Sequence, residues 1–183
     1  GKSDKAILLF HGLNERSWNK YLCWAEFLCE HIGRPVILFP IAFHINRSPR
    51  SWSDPRSMLS LLNLRRKKYS NDRSVSLANV ALSERLSNNP LLFYTSGKQT
   101  FHDLETLCTD IRAGMHPLFA PNTQIDLFAY SIGAFLAQIL LLANPGKLFS
   151  KSRLFLFCGG SIFSAMQGVS RSIMDRKAFE KLY

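Results

Sequence analysis

The chain has 183 residues, 46% of them hydrophobic and 20% charged, with a formal net charge of +10. That length suits one domain with a real core, and the composition is that of an ordinary soluble globular protein. No N-terminal segment reads as a signal peptide, and the longest apolar run, Ala134 to Ala143, is broken by Gln138 and too short to span a bilayer, which argues against transmembrane insertion.

In chain order, AILLF (6–10) reads as a first buried strand. In the following ERSWNKYLCWAEFLCEHIG, the residues Trp18, Tyr21, Leu22, Ala25, Leu28 and Cys29 recur at helical spacing, and Gly33 stands where a helix stops. PVILF (35–39) is the second strand, and strand–helix–strand predicts a right-handed parallel crossover.

Residues 44 to 122 then interrupt the pattern, although a parallel crossover needs only a dozen or more residues. They carry three helical patterns: PRSMLSLLNLRRKKY, SVSLANVALSERLSN and TFHDLETLCTDIRAG. The third has Thr100 as N-cap, Asp103 in a capping-box arrangement and Gly114 at its end, and is predicted to be the crossover helix. The first two form a helical cap insertion over roughly 46–98.

IDLFAY (125–130) is the third strand, and Ile132 to Asn144 a nearly all-apolar helix ended by NPG. RLFLFC (153–158) is the fourth strand. Ser161 to Tyr183 is expected to form one or two amphipathic helices, with Gly168 as the break. The strands are almost continuously hydrophobic, as when helices cover both faces of a sheet. The predicted fold is a three-layer α/β/α domain with a mostly parallel sheet of about four strands.

The charge is uneven. From Asn46 to Arg73 eight basic residues stand against two acidic ones, a net of +6. The run Arg65-Arg66-Lys67-Lys68 could hold an anion, but it also suits a solvated helix end, where cations meet the macrodipole favourably. The second reading is preferred, and with no aromatic interleaving or RNA-binding signature no specific nucleic acid is implied. Cys23, Cys29, Cys108 and Cys158 have no metal-site spacing. Cys23, Cys108 and Cys158 sit in apolar contexts, so all four are read as reduced, in keeping with a cytoplasmic location. No metal and no cofactor are expected.

The chemistry concentrates in AYSIG (129–133), between the third strand and its helix. A sharp strand-to-helix turn forces its central residue toward positive φ and needs small neighbours; Ala129 and Gly133 are small, and Ser131 sits between them. The Ile132 N–H would open the helix, where free donors and the dipole favour an oxyanion. At the end of the first strand stands FHGLNERSW.

His11-Gly12 together with AYSIG resembles the α/β-hydrolase superfamily, over roughly residues 5–45 and 100–165. The resemblance implies a local strand order of second, first, third, fourth. It implies Ser131 as nucleophile and an oxyanion hole made by the N–H groups of Ile132 and Leu13, with His11 shaping the loop and not acting as base. The activity implied is that of a serine esterase, lipase or thioesterase, on a small-molecule acyl substrate. Ser161 is a poor second candidate for nucleophile, and His31, His44, His102 and His116 are read as surface or loop residues.

In that superfamily the chain order is Ser, then Asp or Glu, then His. After Ser131 only Asp175 and Glu180 follow, and no histidine. Two explanations stay open: the chain stops short of the strands that bear acid and base, which is preferred, or a cap histidine serves. An exposed edge strand, RLFLFC, would then favour a homodimer by edge pairing or by exchange of the C-terminal helix. A rival reading is a non-catalytic binding module that keeps the fold. A weaker one, a flavodoxin-like nucleotide-binding domain, would need a phosphate cradle after the first strand, where HGLNERSW offers one glycine.

Overall fold

The computed structural model describes residues 1–159 and 166–183. Four strands, β1 (Ser3–Phe10), β2 (Val36–Phe39), β3 (Phe119–Tyr130) and β4 (Leu154–Phe157), pair in parallel in the order β2-β1-β3-β4. Phe10 pairs with both Phe39 and Ala129, and Tyr130 with Phe157, so the strands end level with one another. Loops leaving β1 and β3 therefore emerge side by side, at the edge where open α/β sheets bind ligands.

Alternation along the strands sends successive side chains to opposite faces. Ala6, Leu8 and Phe10 of β1, with Ile125 and Leu127 of β3, meet two helices, α4 (Leu91–Arg112) and α5 (Ile132–Ala143). On the other face lies α1 (Asn19–Ile32), whose Trp24 packs on Phe128, Tyr130 and Phe157 with ring centroids 5.5–6.0 Å apart. The predicted three-layer class is the observed one. The inward stripe of α1 is rotated from the expected one: Tyr21 is buried and Trp24 faces the sheet, whereas Leu22 and Cys29 are exposed. The aromatic shelf of β3 and β4 recruits the largest ring that α1 offers. As edge strand, β4 leaves Phe155 56% exposed.

Between β2 and α4 lie α2 (Pro55–Lys68) and α3 (Val80–Asn88), which share a small apolar cluster of Met58, Leu62, Val75, Val80 and Ala81. Asp54 caps α2 by accepting from the Ser57 N–H at 2.8 Å. The second predicted helix is shortened, because Asn79 turns back to bond the Ser74 and Ser170 carbonyls. The third is lengthened. It starts after Pro90, so Thr100 is not an N-cap but lies mid-helix, donating to the Ser96 carbonyl and accepting from the Ala42 N–H. Asp103 pairs with Arg47 at 2.6 Å instead of closing a capping box. α4 thus runs across the expected cap boundary near residue 98.

The C-terminal segment also departs from expectation. Met166 to Asp175 is not helical; Ser170 and Met174 are bonded backbone to backbone, and helix resumes only at α6 (Arg176–Leu182), capped by Asp175. Ser161, with the expected helix start, lies outside the described residues. α6 docks on α3 through Leu82, Leu86, Met174 and Ala178.

The basic run divides. Arg66, Lys67 and Lys68 are exposed as expected, but Arg65 is buried and grips the Asp175 carboxylate through two N–H groups, Glu84 at 2.6 Å and Ser87 at 2.7 Å. Burial alone would push the Asp175 pKa up; Arg65 and the Ala178 N–H outweigh it and hold the carboxyl below its ordinary range. This one arginine ties α2 to α3 and α6.

Candidate active site at the ends of β1 and β3

Ser131 has φ 55° and ψ −116°, left-handed backbone that a non-glycine residue adopts only when its surroundings enforce it. The enforcement can be traced. On one side the Ser131 N–H donates to the Phe157 carbonyl of β4 at 3.0 Å. On the other, α5 leaves at once and presses against β1. A Cβ built on Gly133 would lie 2.6 Å from the Phe10 Cβ and 2.8 Å from the His11 carbonyl oxygen, so only glycine fits. Ala129, fully buried beside Phe10, completes the small pair.

The Ser131 hydroxyl makes no capping bond to its own helix. Ser131 lines a cavity with ≈ 370 Å³ open to the centre of a water-sized sphere, whose wall also includes Leu13, Ile132, Cys158, Gly159 and Met166. Ile132 is the first residue of α5, and its N–H, like that of Leu13, has no acceptor among the described residues. Free donors at a helix start are suited to an anion.

The loop after β1 is built to leave Leu13 in that position. The Gly12 N–H is already used, donating to the Tyr21 hydroxyl at 2.9 Å, and that hydroxyl donates to Glu15 at 2.7 Å. A Cβ on Gly12 would meet the Tyr130 ring at 2.8 Å, so glycine is required here as well. Asn14 anchors the loop to the C-terminal segment by donating to the Ile173 carbonyl at 3.0 Å.

His11 is fully buried and spent on structure. Its Nδ1–H donates to the Gly12 carbonyl at 2.8 Å, and Nε2 accepts from the Ile41 N–H at 2.9 Å, bracing the loops after β1 and β2 together. Burial lowers its pKa to about 4, against the opposing effect of the Gly12 bond, so the ring is neutral at pH 7. With both nitrogens engaged it has no lone pair to offer Ser131.

No histidine, aspartate or glutamate lines the Ser131 cavity among the described residues. Asp175 is committed to Arg65, and Glu180 is paired with Lys177 on the surface. His31 and His102 are exposed, and His44 lies in the loop after β2, as a surface or loop residue was expected to, but is buried there at 7% exposure. Among the cysteines only Cys108 is buried; Cys23 and Cys158, expected inside, are exposed, and all four are free. Cys158 leaves the core because it stands past the end of β4, on the rim of the Ser131 cavity. Among the described residues no group of three or more His, Cys, Asp or Glu is placed to hold a metal ion, and no helix is long and apolar enough to cross a membrane.

Sequence reasoning named Arg65 and Asp175 separately but missed their pairing, since they are 110 positions apart and meet only through tertiary packing. It missed Arg85 and Trp52 too, which line a second cavity next to Ile132. Nothing local marks either pair.

The chain belongs to the family described as Family of unknown function (DUF6051), which it matches over residues 1–183. No curated protein and no solved structure matches it.

Proposed function

We propose that this chain is a serine hydrolase-like domain that transfers the acyl group of an ester or thioester through Ser131. The single observation that carries the reading is the strained backbone of Ser131, a non-glycine residue held at φ 55° between a strand and a helix on the wall of a cavity. Ile132 and Leu13 on the wall of that cavity, whose N–H groups have no acceptor among the described residues, support it as the pair that would receive the oxyanion. Removing one such donor costs about 3 kcal/mol of transition-state stabilisation.

In this reaction a bond forms from Ser131 Oγ to the acyl carbon, and the bond from that carbon to the leaving oxygen or sulfur breaks. With no histidine, aspartate or glutamate on the cavity wall among the described residues, the serine proton passes to solvent, solvent returns a proton to the leaving group, and water releases the acyl group by the same route reversed. Without a base lining the cavity, Ser131 should react with activated acyl donors and phosphonates while turning over ordinary esters slowly. The test is labelling with a fluorophosphonate: stoichiometric modification mapped to Ser131 and abolished by Ser131→Ala is expected. A folded protein that resists the reagent would overturn the proposal.

A second reading, a non-catalytic binding module, is favoured by one specific observation, the lack of any histidine, aspartate or glutamate on the cavity wall among the described residues. It predicts ligand binding with no labelling. The exposed β4 edge and its Phe155 support self-association by strand pairing, or by exchange of α6; a monomeric mass in light scattering at high concentration would count against both. The free cysteines suit a reducing compartment such as the cytoplasm.

A further inference from the structure

A second, narrow cavity lies beneath α3 and α4, with ≈ 90 Å³ open to the centre of a water-sized sphere. It shares the wall residues Leu13, Phe93, Ile132 and Phe135 with the Ser131 cavity, so the oxyanion residues stand between the two. Leucine, isoleucine and phenylalanine make up most of its lining. Such a wall accepts a hydrocarbon chain.

Its polar groups are few. Ser96 is satisfied, donating to the Ala42 carbonyl at 2.7 Å. His44 donates from Nδ1 to the same carbonyl at 3.0 Å, which leaves Nε2 as an acceptor, buried and without a partner among the described residues. Arg85 lies with its guanidinium carbon 3.8 Å above the Trp52 ring. Among the described residues it pairs with no carboxylate, and residues 160–165, GSIFSA in sequence, contain none. Burial first, and then Arg16, lower the Arg85 pKa to about 10; Arg85 also lines a smaller cavity with Glu15 and Arg16, which shares Phe43, His44 and Trp52 with this one.

Arg85 is a partly buried cation on the wall of an apolar cavity with the Trp52 ring against it, and a ligand that brings a negative charge there gains from the pairing. Trp52 holds the guanidinium plane from one side, leaving its donors for a planar, singly charged group. A carboxylate fits that fork.

We propose that this cavity holds the acyl chain of the substrate, and that Arg85 binds a carboxylate at the far end of that chain. The substrate class is then the half-ester or half-thioester of a dicarboxylic acid. The inference rests on the acyl-transfer reading of Ser131, and the experiment separates the two.

The Ser131→Ala protein is titrated with monomethyl esters of succinic, adipic, suberic and sebacic acids and with the matched dimethyl diesters, followed by calorimetry and by Trp fluorescence. The expected result is a preference of about tenfold or more for the monoester at one chain length, lost in Arg85→Met. Equal binding of monoesters and diesters at every length would overturn the inference in the Arg85-intact protein, whatever Arg85→Met does to folding. A preference that survives Arg85→Met would overturn it too. Fluorophosphonate labelling of the unmutated protein is run alongside. If Ser131 labels and no preference is found, the dicarboxylate assignment fails and the hydrolase reading stands. If the preference is found and Ser131 never labels, the cavity binds carboxylated chains but the substrate assignment is overturned with the hydrolase reading.

Discussion

Gly133 lies against Phe10 so closely that a single added methyl would sit 2.6 Å from the Phe10 Cβ. This contact sets how near α5 comes to β1, and hence how sharply the chain turns at Ser131. Gly133→Ala should therefore cost about 1–3 kcal/mol by overpacking and displace the turn. The expected outcome is a lower urea midpoint together with loss of fluorophosphonate labelling. Unchanged labelling would show that the turn does not depend on this approach.

Ser131 stores strain of about 1–3 kcal/mol in its left-handed backbone. Glycine adopts positive φ without that cost and loses about 0.5–1 kcal/mol through its own freedom in the unfolded chain. Ser131→Gly should thus raise stability by roughly 1 kcal/mol while abolishing labelling. A variant no more stable than the parent would contradict the strain argument.

His11 predicts an acid-sensitive fold. Its pKa is about 4 in the folded protein against an ordinary 6.5, so the unfolded chain takes up the proton first as the pH falls. Stability is unaffected above about pH 7, declines between 6.5 and 4, and by pH 4 has lost roughly 3 kcal/mol from this group. Urea midpoints measured across that range should fall with pH, and His11→Gln, though less stable at pH 7, should show a shallower slope. A parallel slope in the variant would assign the loss to other groups.

Arg65→Met should cost about 3–5 kcal/mol, because it leaves the buried Asp175 carboxylate without its cation. Asp175→Asn keeps the cap on α6 and removes the charge, so the double variant should lose clearly less than the two single losses added. Additive losses in denaturation would mean that the two side chains do not act as a pair.

Cys158 shares the Ser131 cavity and is exposed, as are Cys23 and Cys29 outside it. Alkylation with a bulky maleimide should slow fluorophosphonate labelling at least severalfold, and Cys158→Ser should make labelling insensitive to the maleimide. Equal slowing in the Cys158→Ser protein would place the effect elsewhere.

Sequence reading recovered the strands because their hydrophobicity is local and nearly continuous, and it recovered the turn because Ala129, Ser131 and Gly133 are neighbours in the chain. It did less well where a residue's role depends on a distant partner. Thr100 looked like a helix start because Ser/Thr followed three residues later by an acid is a capping pattern, but Pro90 begins the helix and Thr100 spends its hydroxyl on Ser96 and Ala42. Arg65 looked solvated inside a basic run, since nothing in Arg-Arg-Lys-Lys says which one will find a carboxylate 110 positions away.

The sequence by itself determined the alternation of strand and helix, the seat of Ser131 and the small residues that make the seat sterically feasible, because each depends on contacts between near neighbours. Tertiary structure alone decided that His11 is a neutral brace, that Asp175 belongs to Arg65, and that Arg85 and His44 face an apolar cavity beside Ile132. The physical reason is that burial and pairing across the fold fix charge state and partner, and neither is a property of a residue's neighbours in the chain.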